Sequence, residues 1–276
     1  MKLSIAIADL NADEKAFVVW RGFEESFRKA SDLGYDGAEL ALRSRDEIDV
    51  FNLRRLLDKT GLQVSGISTG QVFSALDLYL TNPLDERRNQ AVKVLSDLIE
   101  LAGEFGGVVN LGRSRGFYSP EQTKEQAETL FLESLAVLSE KADKHSVTII
   151  VEPVNRYELN FLNNLDECAA IVERSGLDNV AMMADVFHMN IEDARMGEAI
   201  ERNSRLVKYV HLADSNRHAP GDGHLDFDEI FTSLKRISYD GWLSVEALPF
   251  PSPDETAKRS VDFIRPLMEK YGFKKG

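Results

Sequence analysis

Four residues in the second half of the chain, Glu152, Asp185, His211 and Glu246, are of the types that hold a hard divalent cation, and each closes a short apolar run. The runs are Val147-Thr148-Ile149-Ile150-Val151, Val180-Ala181-Met182-Met183-Ala184, Val207-Lys208-Tyr209-Val210 and Trp242-Leu243-Ser244-Val245. Runs of this length, rich in β-branched and aromatic residues, read as strands. Taken singly, an acid after a strand is as well explained as a loop residue or a helix N-cap. Four acid-or-His residues closing four consecutive runs are a stronger pattern, and nothing like it occurs in the first half of the chain. If the four strands are parallel neighbours, three carboxylates and one imidazole meet at their C-terminal ends. Oxygen donors with a single imidazole suit Mn²⁺, Mg²⁺ or Co²⁺, unlike the thiolate-rich sets of structural zinc.

Glu152 and Glu246 lie on the first and last of these strands, so they approach the expected metal from different sides. Two carboxylates on opposite faces of a carbon can exchange a proton across it. A hydroxy-ketone bound to the metal through its carbonyl and adjacent hydroxyl oxygens would have its α-proton acidified, because the cation stabilises the enediolate left behind. Removal by one glutamate and return by the other would invert the carbon.

Further polar residues follow the ligands in the expected loops: Glu158 in Glu152-Pro153-Val154-Asn155-Arg156-Tyr157-Glu158, His188 in Asp185-Val186-Phe187-His188, and Arg217 in His211-Leu212-Ala213-Asp214-Ser215-Asn216-Arg217. They can be site residues. Equally, Glu158 and Arg217 can be a loop ion pair and His188 a helix-start histidine. Arg113 and Arg115, in Gly112-Arg113-Ser114-Arg115-Gly116, leave an earlier strand on the same side; each is either a guanidinium fork for a substrate carboxylate or part of a solvated loop.

The elements that must position these groups alternate from end to end. Strands are expected to begin at Leu3, Gly37, Gln63, Val108, Val147, Val180, Val207 and Trp242, with amphipathic helices between them, long ones over Asn82 to Phe105 and Pro120 to Lys144. Asn82-Pro83 and Ser119-Pro120-Glu121 each place a capping side chain ahead of proline at the first helical position. Gly34 and Gly61 stand where helices should end in a left-handed residue. Eight βα units without a linker make residues 1–276 a single α/β domain, a (β/α)₈ barrel, which typically takes ~250 residues. A doubly wound open sheet would require a Gly-rich turn after its first strand, where Ala8-Asp9-Leu10-Asn11 stands instead.

Composition limits the partners. A hydrophobic share of 43% in 276 residues supports a large core, and the formal net charge of −13 repels phosphate backbones and anionic membrane surfaces. The N-terminus passes straight into a strand pattern and no apolar run reaches membrane length, so a soluble cytoplasmic protein binding neither nucleic acid nor membrane is expected. Cys168 is the one cysteine and falls in a helical stretch from Asp166 to Ser175, as a buried thiol and not a nucleophile.

The segments Glu152-Pro153-Val154-Asn155-Arg156-Tyr157-Glu158, Asp185-Val186-Phe187-His188-Met189-Asn190-Ile191-Glu192 and His211-Leu212-Ala213-Asp214-Ser215-Asn216-Arg217, with Ala219-Pro220-Gly221 and Gly223-His224 behind them, resemble the ketose 3-epimerases among the xylose-isomerase-like barrels, over nearly the whole chain. The resemblance implies one divalent metal, usually Mn²⁺ with Co²⁺ and Mg²⁺ as substitutes, on Glu152, Asp185, His211 and Glu246. It implies Glu152 and Glu246 as the acid/base pair, with Glu158, His188 and Arg217 on the O1 to O3 end of a ketose. It also implies a homo-oligomer, a dimer or tetramer. Ser68-Thr69-Gly70-Gln71, Leu80-Thr81-Asn82-Pro83, the Arg113/Arg115 loop and Glu246-Ala247-Leu248-Pro249 look more like the 5-keto-L-gluconate epimerase branch, whose substrates are keto-acids.

Two other enzymes share such a barrel. Hydride-shift isomerases and abasic-site endonucleases use additional metals on histidines from early strands, but His145, His188, His211, His218 and His224 all lie late in the chain. A hydroxypyruvate or ketose–aldose isomerase working by proton transfer at one metal stays open, as does a non-catalytic sugar-binding barrel. A phosphate cradle is disfavoured by Asp222 within Gly221-Asp222-Gly223 and by the prolines of Pro249-Phe250-Pro251-Ser252-Pro253.

Overall fold

In a computed structural model, which describes residues 1–273, nine parallel strands form one sheet. They are β1 (Lys2–Ala8), β2 (Trp20–Arg21), β3 (Gly37–Ala41), β4 (Gln63–Ser68), β5 (Val108–Leu111), β6 (Thr148–Val151), β7 (Val180–Asp185), β8 (Val207–Leu212) and β9 (Trp242–Val245). Eight of them follow one another around a barrel that closes where β9 pairs with β1, with Lys2 beside Trp242 and Ile5 beside Val245. The ninth, β2, adds two residues to the outer end of β1, with Ile7 beside Trp20. The eight expected strands thus all form, within a residue of their expected starts.

Side chains alternate across each strand, so residues two apart share a face. Ile150, Ala181, Met183 and Tyr209 pack together inside the barrel, while the larger apolar cluster lies between the strands and the surrounding helices. Two residues beyond Ile150, Met183 and Tyr209 stand Glu152, Asp185 and His211, so the same alternation that fills the barrel aims these three groups into its upper mouth. Asp185 and His211 are direct register partners across β7 and β8.

The helices include α1 (Phe23–Leu33), α2 (Val50–Thr60), α3 (Gly70–Leu76), α4 (Asp85–Gly103) and α5 (Lys124–His145). Then follow α6 (Leu165–Ser175), α7 (Val186–Glu192), α8 (Met196–Arg202), α9 (Phe227–Arg236) and α10 (Pro253–Lys270). Gly34 and Gly61 end α1 and α2 with φ of 86° and 69°, the left-handed conformation that glycine adopts without a Cβ penalty. Both expected proline-led starts are corrected. The Asn82 side chain accepts from Leu84 N in a turn ahead of α4, and α5 opens at Thr123, whose hydroxyl accepts from Gln126 N while the Gln126 side chain accepts from Thr123 N. The reciprocal cap satisfies two free N–H groups, more than serine before proline can offer, and so it sets the boundary. Cys168 is buried on α6, its Sγ 3.7 Å from the Val151 carbonyl, and burial pushes the thiol up to about 12. It is chemically quiet. No helix among the described residues is long and apolar enough to cross a membrane.

Candidate metal centre and active site

Glu152, Asp185 and His211 bring one ligand atom each to within 4.8 Å of one another, all three residues being buried. The point of convergence is His211 Nδ1, which lies 3.5 Å from Asp185 Oδ2 and 3.8 Å from Glu152 Oε1. Glu246 Oε2, from the segment after β9, is also 3.8 Å from it. His211 Nδ1 is buried with no hydrogen-bond partner among the described residues. A buried polar atom without a partner is costly, and three carboxyl groups crowded around one another are costlier still. A divalent cation satisfies both, so the donor set fits a metal of the Mn²⁺ or Mg²⁺ type.

The electrostatics record the crowding. Burial, together with Glu246 and Asp185, raises Glu152 far above the usual carboxylate range, and burial with Asp185 and Glu39 raises Glu246. For Asp185 burial acts upward too, but His188, His211 and Arg217 outweigh it and hold the group low. Asp185 also caps α7, its Oδ1 accepting from Phe187 N at 2.8 Å and His188 N at 3.2 Å, which leaves Oδ2 for the centre. A single aspartate therefore serves as both helix cap and candidate ligand, so the two readings of its position in the sequence do not compete.

Glu158, His188 and Arg217 gather on one wall of a cleft above the centre. Arg217 donates to Glu158 Oε1 at 2.7 Å and to Glu246 Oε2 at 3.2 Å, so the ion pair expected of a loop exists, but inside the site. Its backbone is left-handed (φ 61°), and its guanidinium lies 3.5 Å from the Phe17 ring centroid and 4.6 Å from that of Phe187. Such stacking holds the arginine in one orientation. His188 Nδ1 accepts from Asn155 Nδ2 at 2.7 Å and faces Asn155 N at 3.4 Å; a backbone amide can only donate, so the proton of neutral His188 sits on Nε2. That atom lies 3.8 Å from Glu152 Oε1, and burial lowers the imidazole to about 4, keeping it neutral at physiological pH.

The two candidate anchors separate. Arg113 lines the cleft, 5.2 Å from the Phe17 ring centroid, and forms no ion pair within 4.0 Å among the described residues. Arg115 does not reach the cleft. It is fully buried behind the site, donating to the carbonyls of Gly112 (2.8 Å), Phe161 and Leu162 (3.0 Å). It therefore ties the loop after β5 to the one after β6, and the expectation that it grips a substrate carboxylate is corrected: both terminal nitrogens donate to backbone carbonyls away from the cleft.

The loop it ties supports Glu152. Asn110 Nδ2 donates to Glu152 Oε2 at 2.7 Å, and a Cβ placed on Gly112 would lie 2.4 Å from the same oxygen. Real Cβ atoms do not approach so closely, so Gly112→Ala should displace the carboxylate and lower kcat at least 100-fold (about 2.7 kcal/mol) with the fold intact. A full-rate variant with an unaltered circular dichroism spectrum would show that the carboxylate position is immaterial.

Asn110, Gly112, Phe17 and Glu39 are the pocket or sub-pocket residues that the strand-end pattern missed. Phe17 sits in the loop between β1 and β2, outside any periodic segment. Glu39 is mid-strand in β3, buried, with His211 Nε2 at 2.9 Å and Tyr209 OH at 3.0 Å. The one available signal was a glutamate within the otherwise apolar run Gly37-Ala38-Glu39-Leu40-Ala41.

The chain matches the xylose isomerase-like TIM barrel family over residues 27–267. It is 32% identical over 226 residues to a ketose 3-epimerase of Arthrobacter globiformis, covering 80% of this chain and 75% of that one. It is 26% identical over 250 residues to the 3-dehydro-D-guloside 4-epimerase of Escherichia coli K12, covering 87% and 93%. A solved structure of L-ribulose 3-epimerase superposes with a TM-score of 0.82 at 27% identity, covering 97% of this chain and 95% of the other. Fold, converging donors and sequence similarity agree: the chain belongs to the xylose isomerase-like TIM barrel family, among its ketose 3-epimerases.

Proposed function

We propose that the protein inverts C3 of a ketose or keto-sugar acid, with Glu152 and Glu246 as a two-sided acid/base pair. The observation that carries this reading is the convergence of both glutamates, from strands separated by β7 and β8, on the same unpartnered nitrogen. A bound divalent cation, Mn²⁺ by preference with Mg²⁺ or Co²⁺ as substitutes, would be held by Glu152, Asp185, His211 and Glu246 and would offset the negative charge that develops on the substrate oxygens.

The side chains do the rest. His188 presents a neutral Nε2–H donor to a substrate oxygen, Arg217 and Glu158 present a donor and an acceptor, and the Phe17 ring covers the cleft beside them. Glu152 removes the α-proton from one face and Glu246 supplies one to the other. Pre-placed groups of this kind lower the barrier by positioning, without reorganisation during the step.

Charge supports a keto-acid as the substrate class. Glu152, Glu158 and Glu246 line the inner cleft, and among the described residues Arg113 is the cation on its wall that has no carboxylate partner. A keto-acid whose far carboxylate meets Arg113 would complete it. Arg113→Ala should raise KM for a 5-keto-gluconate at least tenfold and leave KM for fructose or tagatose nearly unchanged; equal effects on both would remove the anchor. The reading as a whole is tested by proton NMR in D₂O with tagatose, fructose, 5-keto-gluconate and hydroxypyruvate. Deuterium at C3 with a new C3 epimer supports it, deuterium at C1 with an aldose product makes the enzyme an isomerase, and no exchange with metal bound rejects catalysis.

A further inference from the structure

We propose that Glu39, which no strand-end pattern marks and which is not itself a metal ligand, is the positioning residue of the metal centre: it holds His211 so that Nδ1 points at the carboxylates. The inference rests on the metal-centred reading above and concerns metal affinity, not the choice of substrate.

The geometry is a brace across the barrel. Glu39 is on β3 and His211 on β8, strands that are not neighbours, and their side chains meet through the interior. His211 Nε2 lies 3.0 Å from Glu39 Oε1 and 2.9 Å from Oε2, so one N–H is shared between both oxygens. That contact assigns the Nε2 proton and fixes the plane of the ring. It leaves Nδ1, 3.5 Å from Asp185 Oδ2, as the atom that faces the centre. Tyr209, two residues earlier on the same face of β8, donates its hydroxyl to Glu39 Oε2 at 3.0 Å and lies 2.7 Å from Ser65 Oγ. Glu39, Tyr209, Ser65 and His211 are all buried.

Glu39 forms no ion pair with a lysine or arginine among the described residues; its charged neighbour is His211. A buried carboxylate is expensive unless its partners repay desolvation, and here the partners are one imidazole N–H and one phenol. An isosteric amide in its place could offer an N–H to Nε2, which would move the imidazole proton to Nδ1, where the cation belongs. Carboxylates behind metal-bound histidines typically contribute about 10–100-fold in metal affinity.

The test is calorimetric titration of the purified metal-free protein with Mn²⁺, without substrate. Glu39→Gln should raise the Kd by about 10–100-fold, and Tyr209→Phe, which removes the phenol hydrogen bond to Oε2, by a smaller factor in the same direction. In the Mg²⁺-loaded protein, the His211 Nε2 proton should resonate far downfield in the proton NMR spectrum and shift strongly upfield in Glu39→Gln. If Glu39→Gln does not fold, Tyr209→Phe decides: weaker Mn²⁺ binding at an unchanged metal-free melting temperature supports the proposal, and an unchanged Kd overturns it. A Glu39→Gln protein that folds and binds Mn²⁺ within about threefold of the parent also overturns it. Absence of Mn²⁺ uptake by the parent would overturn both this inference and the metal reading, whereas uptake without epimerisation would overturn only the proposed function.

Discussion

Glu152→Gln and Glu246→Gln should each abolish inversion while leaving proton exchange on one epimer. Glutamine preserves the size of the side chain and one oxygen for the centre, but it is not a base. Loss of a positioned general base costs about 10²–10⁴ in rate. The glutamate that remains can still remove and return the α-proton of the epimer that presents it. In D₂O and saturating Mn²⁺, each variant should therefore place deuterium into one epimer without forming the other, and the two variants should label opposite epimers. Exchange of both epimers by either variant would mean one base and a substrate that turns over in the site. The variants also differ in binding. Arg217 divides its donors between Glu158 and Glu246, so Glu246→Gln leaves it with a single carboxylate and should raise KM. The outer oxygen of Glu152 is held by the neutral Asn110 amide, and Glu152→Gln should affect mainly kcat.

The barrel and the convergence of its candidate ligands were legible because they depend on short-range regularities. A period of two along each strand both fills the interior with Ile150, Met183 and Tyr209 and aims Glu152, Asp185 and His211 upward, and the sequence displays that period directly. The helix starts near Asn82 and Ser119 were misplaced because a proline signal is local, while the boundary went to the better cap a few residues on. Arg113 and Arg115 show the limit most clearly. They are two apart in one loop, yet one faces the cleft and the other donates to carbonyls after β6. The intervening 3₁₀ turn places them on different sides, and no periodicity announces it. Glu39 and Tyr209 were hidden for another reason: their contact joins residues 170 apart through the lumen, and each alone reads as an ordinary strand residue.

The metal-free protein should lose stability as pH rises from about 7 to 9, and Mn²⁺ should reverse the trend. Glu152 is raised by burial and by Glu246 and Asp185, so above the unfolded carboxyl value of about 4.3 the native state holds a proton that the unfolded chain has released. His211 is raised well above 6.5, with Glu39 and Glu246 outweighing burial, and acts in the same sense from there upward. For both groups the native state binds more protons, so stability falls with pH. His188, lowered to about 4 by burial, acts oppositely, but its contribution is complete once the unfolded imidazole has titrated near 6.5. Asp193, pushed up to about 6 by burial, adds a loss that is over before neutrality. Glu246, also raised by burial, acts in the same sense as Glu152, so what these groups leave above pH 7 is a decline. Mn²⁺ must displace the protons they hold, so its apparent affinity should rise over the same interval. At 100 times its Kd it adds about 2.7 kcal/mol, roughly 5 °C in melting temperature for a chain of this size. Scanning calorimetry at a fixed Mn²⁺ concentration should thus give a larger upward shift at pH 8 than at pH 6. An equal or larger shift at pH 6 would mean that the cation sits somewhere other than among Glu152, Asp185, His211 and Glu246, because only a site built on proton-holding groups links metal binding to pH in this direction.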